Sequence, residues 1–539
     1  MKADLSRTTF HPSKHYSSVV AQQGRVQLDA DANEQSSIAL HYLRRLARDL
    51  IGPCGGPADR LGFAVTPLDA RLTGGAADWA IGAGRYYVDG ITCELDPAAV
   101  AIDFPRASRN QVQAAEPTLD GLRFARDQLV QLFDAHARIA PVNARITNVA
   151  YAGEIATLTL TDVGALANSK APRLRRITTF LTQPHFAVPG LESGTFQIYL
   201  DVWERLITHL EDDSIRDVAL NGADTSARAK IVWQVKAVPT AAAECLLPDT
   251  LAAQLQPANR GRLRARAKST TAPELPAGKN YTGLENQLYR VEIHSGNLAA
   301  PSPGPTFKWS RENGAVAFAI VSGGGTDTLV LETLGDGARF GLSEGDWVEI
   351  EDDASVLENR AGPLLRIKAI DQTGNTVVLS GDPAADVGGD ASKHPLLRRW
   401  DYGSGDPADG GPQLSDHDHA CLIPARDTWL SLENGVQIQF VDPANSVYRT
   451  GDYWLIPARV ATGDVEWPTQ TIPLGPDGIK EPVASPPDGA DHHYAPLAII
   501  KCDGNAITVE NECRRQFAAA ALPMRAPSAG TSGGAAEGT

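Results

Sequence analysis

The stretch QQGRVQLDADANEQ, residues 22–35, changes from strand-like alternation to a helical pattern within fourteen residues. Val26 and Leu28 alternate with polar neighbours, which is the period of a half-buried strand. Asp31 then stands three residues before Glu34, the spacing of a capping box at the start of a helix. Apolar side chains follow at helical spacing, namely Ile38, Tyr42, Leu46 and Leu50, with Leu43 and Ala47 beside them. The sequence therefore predicts a strand that leads directly into an N-terminal amphipathic helix.

The same acidic residues have a second interpretation as a calcium loop. Asp29, Asp31 and Asn33 alternate as the first ligands of an EF-hand do. An EF-hand also needs a Gly at its sixth position and a bidentate Glu at its twelfth, where this chain has Glu34 and Leu40. Helix capping is the favoured interpretation, because Asp and Asn side chains accept hydrogen bonds from the free N–H groups of a first helical turn.

The chain also resembles a known family. Its opening KADLSRTTFHPSKHYSSVVAQQGRVQLDADANEQ, residues 2–35, resembles the start of an uncharacterised bacterial family associated with phage-tail-like extracellular contractile injection systems. Later blocks resemble that family in the same order, namely YLDVWERLITHLEDDSIRDVAL (199–220), TGLENQLYRVEIHSG (282–296), FKWSRENGAV (307–316), GDYWLIPARVATGDVEWP (451–468) and HHYAPLAII (492–500). Residues 111–193 and 373–393 match no block and are interpreted as insertions. The resemblance implies a setting in a particle and brings no catalytic residues.

The polar positions of the family motif are the candidate binding residues. They are Gln23, Gly24, Arg25, Gln27, Asp29, Asp31, Asn33 and Glu34. Because the resemblance supplies no chemistry for them, we expect these residues to act in structure or in docking.

Composition favours a large protein with several cores. The chain has 539 residues, of which 42% are hydrophobic and 21% charged, and its net charge is −16. That length indicates several domains, and the negative charge disfavours binding to nucleic acid or to anionic membranes. No run of eighteen apolar residues occurs, and residues 2–18 form no apolar signal region. We therefore predict synthesis in the cytoplasm and no membrane insertion. The family resemblance implies that release outside the cell occurs as part of a particle.

The six cysteines are dispersed and contain no C-x-x-C pair. This spread favours buried or incidental thiols over a zinc site or a disulfide framework.

Turn residues predict several hairpins. Asp89-Gly90, Asn313-Gly314 and Asn434-Gly435 each separate two β-prone runs, and such pairs tolerate the positive φ angles of tight turns. Short runs bounded by Gly or Asp between residues 307 and 440 predict a small barrel or sandwich. Apolar residues spaced by three and four predict a helix over residues 119–137.

A basic strip has two interpretations. Its cations alternate along the chain at Arg260, Arg262, Arg264, Arg266 and Lys268. In an extended segment they share one face, which suits docking to an acidic neighbour or a polyanion. A solvated loop or an edge protected by charge is the favoured interpretation.

The predicted fold class is mainly β (α+β overall), with several small β-sandwich or barrel domains and the N-terminal amphipathic helix. The predicted units are a strand-helix docking segment (1–60), a β-hairpin domain (61–110), a helical and β insertion (111–193), a β domain with a basic loop (194–300), a small β-barrel or sandwich (301–394), a C-terminal β domain (395–517) and a disordered tail (518–539).

The best metal candidate is the run Asp416-His417-Asp418-His419. Alternation along a strand would place both imidazoles on one side, with the carboxylates as ligands or as supporting groups. Two imidazoles alone do not complete a usual ligand set, and the sequence identifies no third ligand outside the run. No cofactor is predicted.

The sequence carries no short catalytic signature in its usual context, since H-E-x-x-H and the phosphate loop are missing. The G-x-S-x-G pattern occurs as GLSEG (341–345) and GTSGG (530–534), but neither is followed by the helical pattern of a nucleophile elbow. The favoured function is a non-enzymatic structural component, baseplate-proximal or in a tail appendage, that binds other particle proteins and oligomerises within the assembly. The alternatives are an injected effector or cargo, a hydrolase of surface polysaccharide, or a glycan-binding protein carried by the particle. Glycan binding would be indicated by exposed aromatics such as Trp79, Trp429 or Trp454 along a groove.

Overall fold

The structure is a computed structural model that describes residues 2–105, 110–119, 122–185, 190–268, 280–296, 304–381, 383–384, 387–403, 409–472, 479–504 and 506–518. Strands dominate these residues and form several small sheets and closed barrels, which confirms the mainly β class. The predicted tail lies outside the described residues after residue 518.

Five α-helices are defined in the described residues: α1 (Asp29–Ile51), α2 (Ala70–Thr73), α3 (Pro248–Leu255), α4 (Gly337–Phe340) and α5 (Asp353–Leu357). The strands of the N-terminal part are β1 (Cys54–Pro57), β2 (Val65–Pro67), β3 (Trp79–Ile81), β4 (Gly84–Val88), β5 (Ile91–Leu95), β6 (Ala99–Asp103), β7 (Gln111–Ala114), β8 (Thr118–Leu119), β9 (Leu122–Arg123), β10 (Leu129–Asp134), β11 (Val142–Ala152), β12 (Ile155–Leu160) and β13 (Pro172–Arg176).

The middle strands are β14 (Gly194–Ile207), β15 (Arg228–Pro239), β16 (Arg262–Ala267), β17 (Gln287–Ser295), β18 (Thr306–Ser310), β19 (Ala317–Ser322), β20 (Thr328–Leu331), β21 (Trp347–Glu351), β22 (Leu364–Asp371), β23 (Thr376–Leu379) and β24 (Leu396–Trp400). The last strands are β25 (Cys421–Leu422), β26 (Trp429–Ser431), β27 (Val436–Val441), β28 (Tyr453–Arg459), β29 (Asp464–Val465), β30 (Thr469–Ile472), β31 (Ile479–Pro482), β32 (His493–Asp503), β33 (Ala506–Glu512) and β34 (Gln516–Phe517).

The N-terminal helix is confirmed, but its start differs from the prediction. Residues 22–28 form no strand, and the side chain of Val26 is 84% exposed. A turn at Gly24, whose φ is +70°, breaks the extended run that alternation predicted. The helix begins at Asp29, with Leu28 as its N-cap and no side-chain cap. The predicted capping box is therefore wrong, because Asp31 lies inside the helix.

The first and last strands of the described residues lie in one sheet. This sheet is β34-β1-β4-β5, and β34 runs parallel to β1. Apolar side chains from this sheet and from β15-β14-β32-β33 share one hydrophobic core. The hairpin at Asp89-Gly90 joins β4 to β5 with φ angles of 49° and 80°, as the sequence predicts.

A closed barrel, β10-β11-β12-β7-β6-β13, occupies residues 99–176. The helix predicted over residues 119–137 is wrong, because strand β10 occupies the second half of that segment. Val130 and Leu132 are both fully buried in the barrel, at a spacing of two that the helical interpretation overlooked.

The predicted small barrel is confirmed as β19-β20-β23-β22-β21-β24, here called the second barrel. Asn313 and Gly314 adopt positive φ angles of 51° and 65°, as a tight turn requires. The hairpin predicted there is nevertheless wrong, because β18 pairs with β17 and β25 while β19 pairs with β20 and β24. The turn connects β18, in the sheet β25-β18-β17-β28-β29, to β19 of the second barrel. The hairpin at Asn434-Gly435 is confirmed, since β26 pairs with β27.

The central sheet, β25-β18-β17-β28-β29, shares a large aromatic core with the three-stranded sheet β16-β27-β26. Strand β16 carries the basic strip, so the described part of the predicted basic loop is a strand. Its apolar residues are buried and its arginines lie on the opposite face, as alternation predicts. Arg264 pairs with Glu481 at 3.1 Å, and Arg266 covers the Trp429 ring at 3.8 Å. These contacts favour an internally neutralised edge over a docking strip.

The prediction that the cysteines are buried or incidental thiols is wrong for one pair. Cys245 and Cys513 form a disulfide that joins residues 268 positions apart, with a Cα–Cα distance of 5.7 Å. The bond ties the loop after β15 to the segment between β33 and β34. The other four cysteines are free and buried. The helices of the described ranges include none with the length and apolar character needed to cross a membrane.

We predict that Cys245→Ser lowers the free energy of unfolding by about 2–4 kcal/mol, because the disulfide closes a long loop in the unfolded chain. Scanning calorimetry measures the effect. Reductant should lower the melting temperature of the wild type and leave that of Cys245→Ser unchanged. Equal sensitivity of both proteins to reductant would contradict this prediction.

Candidate docking surface

The first residues of the chain are held against the body by a buried charge cluster. The Lys2 ammonium lies 3.3 Å from Glu292 Oε1 and 2.6 Å from Glu351 Oε1. The Asn313 side chain donates to the Ala3 carbonyl oxygen at 2.8 Å. Residues 2–28, here called the N-terminal arm, are therefore fixed at their beginning.

The charge cluster extends beyond Lys2. Lys308 is 2% exposed, forms a short ion pair with Glu349 and lies 3.6 Å from Glu292. Three further contacts belong to the cluster, namely Arg290–Glu292 at 2.6 Å, Arg398–Glu351 at 3.0 Å and Trp400–Glu349 at 2.9 Å. Burial alone would raise the pKa of Glu351, but Arg398, Lys2 and Lys308 lower it to about 2. Burial alone would lower the pKa of Lys308, but Glu349, Glu292 and Glu351 raise it. Both shifts favour the charged forms of Glu351 and Lys308.

The arm also binds the start of helix α1. The backbone N–H and hydroxyl of Ser6 donate to the Asp29 carboxylate at 2.9 and 2.6 Å, and Thr9 donates to Glu34 at 2.6 Å. Arg459 donates to the Ser6 carbonyl oxygen at 2.8 Å. Asp29 and Glu34 of the motif therefore anchor the arm. Their partners lie more than twenty residues earlier in the chain rather than in the helix itself.

The first half of the motif is exposed. Gln23, Gly24, Arg25 and Gln27 lie in solvent between the two anchors. Within the described residues, the side chains of Gln23, Arg25 and Gln27 form no hydrogen bond. Nearby apolar side chains of the arm are exposed as well, namely Tyr16, Val20 and Val26. Of the remaining motif residues, Asp31 is half-buried and Asn33 is exposed, both within the helix.

The metal candidates are not assembled into a ligand set. Asp416, His417 and His419 are exposed, and the His419 ring stacks on Trp347 at 5.6 Å. Asp418 accepts a hydrogen bond from the Thr306 hydroxyl at 2.7 Å. Within the described ranges, no group of three or more His, Cys, Asp or Glu residues is arranged to hold a metal ion. Metal binding by the run 416–419 remains a prediction.

The two histidines at the start of the last family block, residues 492–500, have structural partners. His492 bonds to Asp201 at 2.7 Å, and His493 bonds to Asp89 at 2.8 Å. Trp79 and Trp454 are buried, and Trp429 is half-buried beneath Arg266, so these aromatics do not form an open glycan groove.

A polar cavity of about 170 Å³ lies between the second barrel and the segment that follows it. Asp346 and Asp401 contribute carboxylates to its lining, beside Trp347. Asp401 is engaged by the Arg311 backbone N–H at 2.9 Å and the Arg399 guanidinium at 3.4 Å. Burial raises the pKa of Asp346. The cavity is smaller than the roughly 300 Å³ at which small-molecule pockets begin.

These features define a class: a multidomain β protein that displays an anchored N-terminal arm and a helix. The chain belongs to the family of unknown function DUF6519, whose model matches residues 1–120, 189–272 and 251–527. The unmatched range 121–188 includes strands β10 to β13 of the barrel over residues 99–176, whereas residues 373–393 lie within the matched range. Searches of curated proteins and of solved structures found no match.

We predict that Lys2→Met loosens the arm. Removing this cation lowers the free energy of local opening by about 1–2 kcal/mol, because Glu292 and Glu351 lose a charged partner in a buried site. Hydrogen exchange at the Ser6 amide should then be about 5- to 30-fold faster. Lys14→Met is the matched control, since Lys14 lies in the same arm and is exposed. The same exchange rate in Lys2→Met and Lys14→Met would contradict this role.

We also predict that stability depends on Glu351 in acid. The pKa of this group is lower in the folded protein, about 2, than its ordinary value of 4.5. Its stabilising contribution is therefore complete above about pH 5 and is lost as the pH falls toward 2. Melting temperatures measured from pH 6 to pH 3 should fall more steeply for the wild type than for Glu351→Gln. Parallel curves would show that the carboxyl group has no such linkage.

Proposed function

We propose that the protein is a non-enzymatic structural component of a phage-tail-like contractile injection particle. It acts as a baseplate-proximal or tail-appendage subunit and binds other particle proteins. The resemblance of the six sequence blocks supports the setting. The Cys245–Cys513 disulfide supports a working place outside the reducing cytoplasm, because disulfides persist in oxidising surroundings.

The docking role is supported by a difference within the family motif: some of its residues anchor the arm and others are exposed. Asp29 and Glu34 hold the arm, whereas Gln23, Arg25 and Gln27 have no partner in the described part of the body. A segment anchored at both ends loses little conformational freedom when a partner binds its middle. Residues 11–28, here called the docking segment, are thus suited to present side chains to a neighbouring subunit.

An effector or a polysaccharide-directed protein carried by the particle is the second candidate. The cavity with Asp346 and Asp401 favours it, because Trp347 in the lining also stacks on His419 of the metal candidate run. The ion pairing of Asp401 and the small volume of the cavity make this the weaker proposal.

Mass spectrometry of purified particles from the native host tests the proposal, before and after a salt wash. Recovery in a fixed ratio to baseplate subunits is expected. Small, variable amounts or recovery only from the tube lumen would support cargo instead. Complete absence from particles would contradict both candidates.

We predict that Val26→Asp lowers recovery in washed particles at least about tenfold, because a charge is placed in the apolar part of the docking segment. The variant should fold normally, since the wild-type side chain is 84% exposed. Val218→Asp is the matched control, because Val218 is 89% exposed and lies outside the arm. Equal loss in both variants, or loss in neither, would contradict docking through this segment.

A further inference from the structure

Helix α1 turns its polar side toward the body of the protein. Arg44 pairs with Glu204 through two hydrogen bonds of 3.0 and 2.7 Å, and Arg48 lies 3.3 Å from Asp89. Ile38 is the large apolar side chain of this helix that is fully buried. An amphipathic helix usually packs its apolar side on the core. Here that side is left in solvent.

The exposed side has the spacing of a helix-pairing seam. Its residues are Ser36, Ala39, Leu43, Leu46 and Leu50, with Leu40 and Tyr42 beside them; together they are called the leucine face. Steps of three, four, three and four are those of the core positions in paired helices. Because none of these side chains is charged, the leucine face can meet a copy of itself without placing like charges in the seam.

The exposed area fits such an interface. Leu43, Leu46 and Leu50 are 61%, 57% and 78% exposed. With its neighbours, the leucine face leaves roughly 500 Å² of apolar surface open, near the upper end of the largest patches on monomers. Two copies would bury about 1,000 Å², the size at which specific interfaces begin.

We propose that the leucine face packs against the leucine face of a second copy and forms a two-fold dimer. Each helix is covered by its own body on the other side, so contact between two such faces closes the assembly at two chains. The inference goes beyond the proposed function, because it concerns the isolated chain and not the docking segment.

The test combines Leu43→Asp and Leu46→Asp in the full chain and measures mass by light scattering from about 1 to 50 μM. The wild type should have twice the mass of one chain. The double variant should have the mass of one chain, with self-affinity weakened at least about 100-fold. Leu284→Asp is the control and should remain dimeric, because Leu284 is 95% exposed and lies far along the chain from the helix.

A wild type that stays monomeric throughout this range would overturn the proposal, as would a double variant that remains dimeric. If the double variant has a lowered melting temperature, the mass of Leu50→Asp is measured instead, because Leu50 lies at the end of the helix. This variant should also be monomeric. A second experiment measures binding of the protein to vesicles that contain anionic lipid. Binding of a monomeric wild type that the double variant loses would reassign the leucine face to a membrane surface. Normal recovery of monomeric variants in particles would leave the proposed function standing.

Discussion

The buried charge cluster around Lys308 is the interaction on which the arrangement depends. Its members come from the central sheet, from the second barrel and from the N-terminal arm, so one set of ion pairs joins three parts of the protein. Charges removed from water are costly unless they are paired. Each member therefore needs the others in place. The arm, which carries Lys2, is bound by a site that the rest of the fold must first complete.

The family motif is divided into residues that anchor the arm and residues that are exposed. The carboxylates of Asp29 and Glu34 hold the arm against the helix, while the residues just before them stay in solvent. Helix α1 repeats this division, since Arg44 and Arg48 bind the body and the leucines face outward. Polar side chains thus fix the N-terminal region, and apolar side chains of the helix are left in solvent. This is the reverse of the usual division in a globular domain.

Local chemistry accounts for what the sequence could predict. The hairpins at Asp89-Gly90 and Asn434-Gly435, the second barrel and the existence of helix α1 all follow from turn residues and periodicity. The failures arise where distant residues decide the outcome. Asn313-Gly314 forms its turn, yet its strands find partners elsewhere. Likewise, Lys2 meets Glu351 across 349 positions of the chain, and no local pattern encodes that contact or the outward side of α1.

The start of the arm is bound in the charge cluster, whereas Lys14 and residues 20–28 of the same arm are exposed. Amine footprinting of the native protein compares two lysines of that arm in a single measurement. Lys2, whose side chain is 20% exposed and forms two ion pairs, should react far more slowly than the exposed Lys14. Equal labelling of Lys2 and Lys14 at neutral pH would contradict the account.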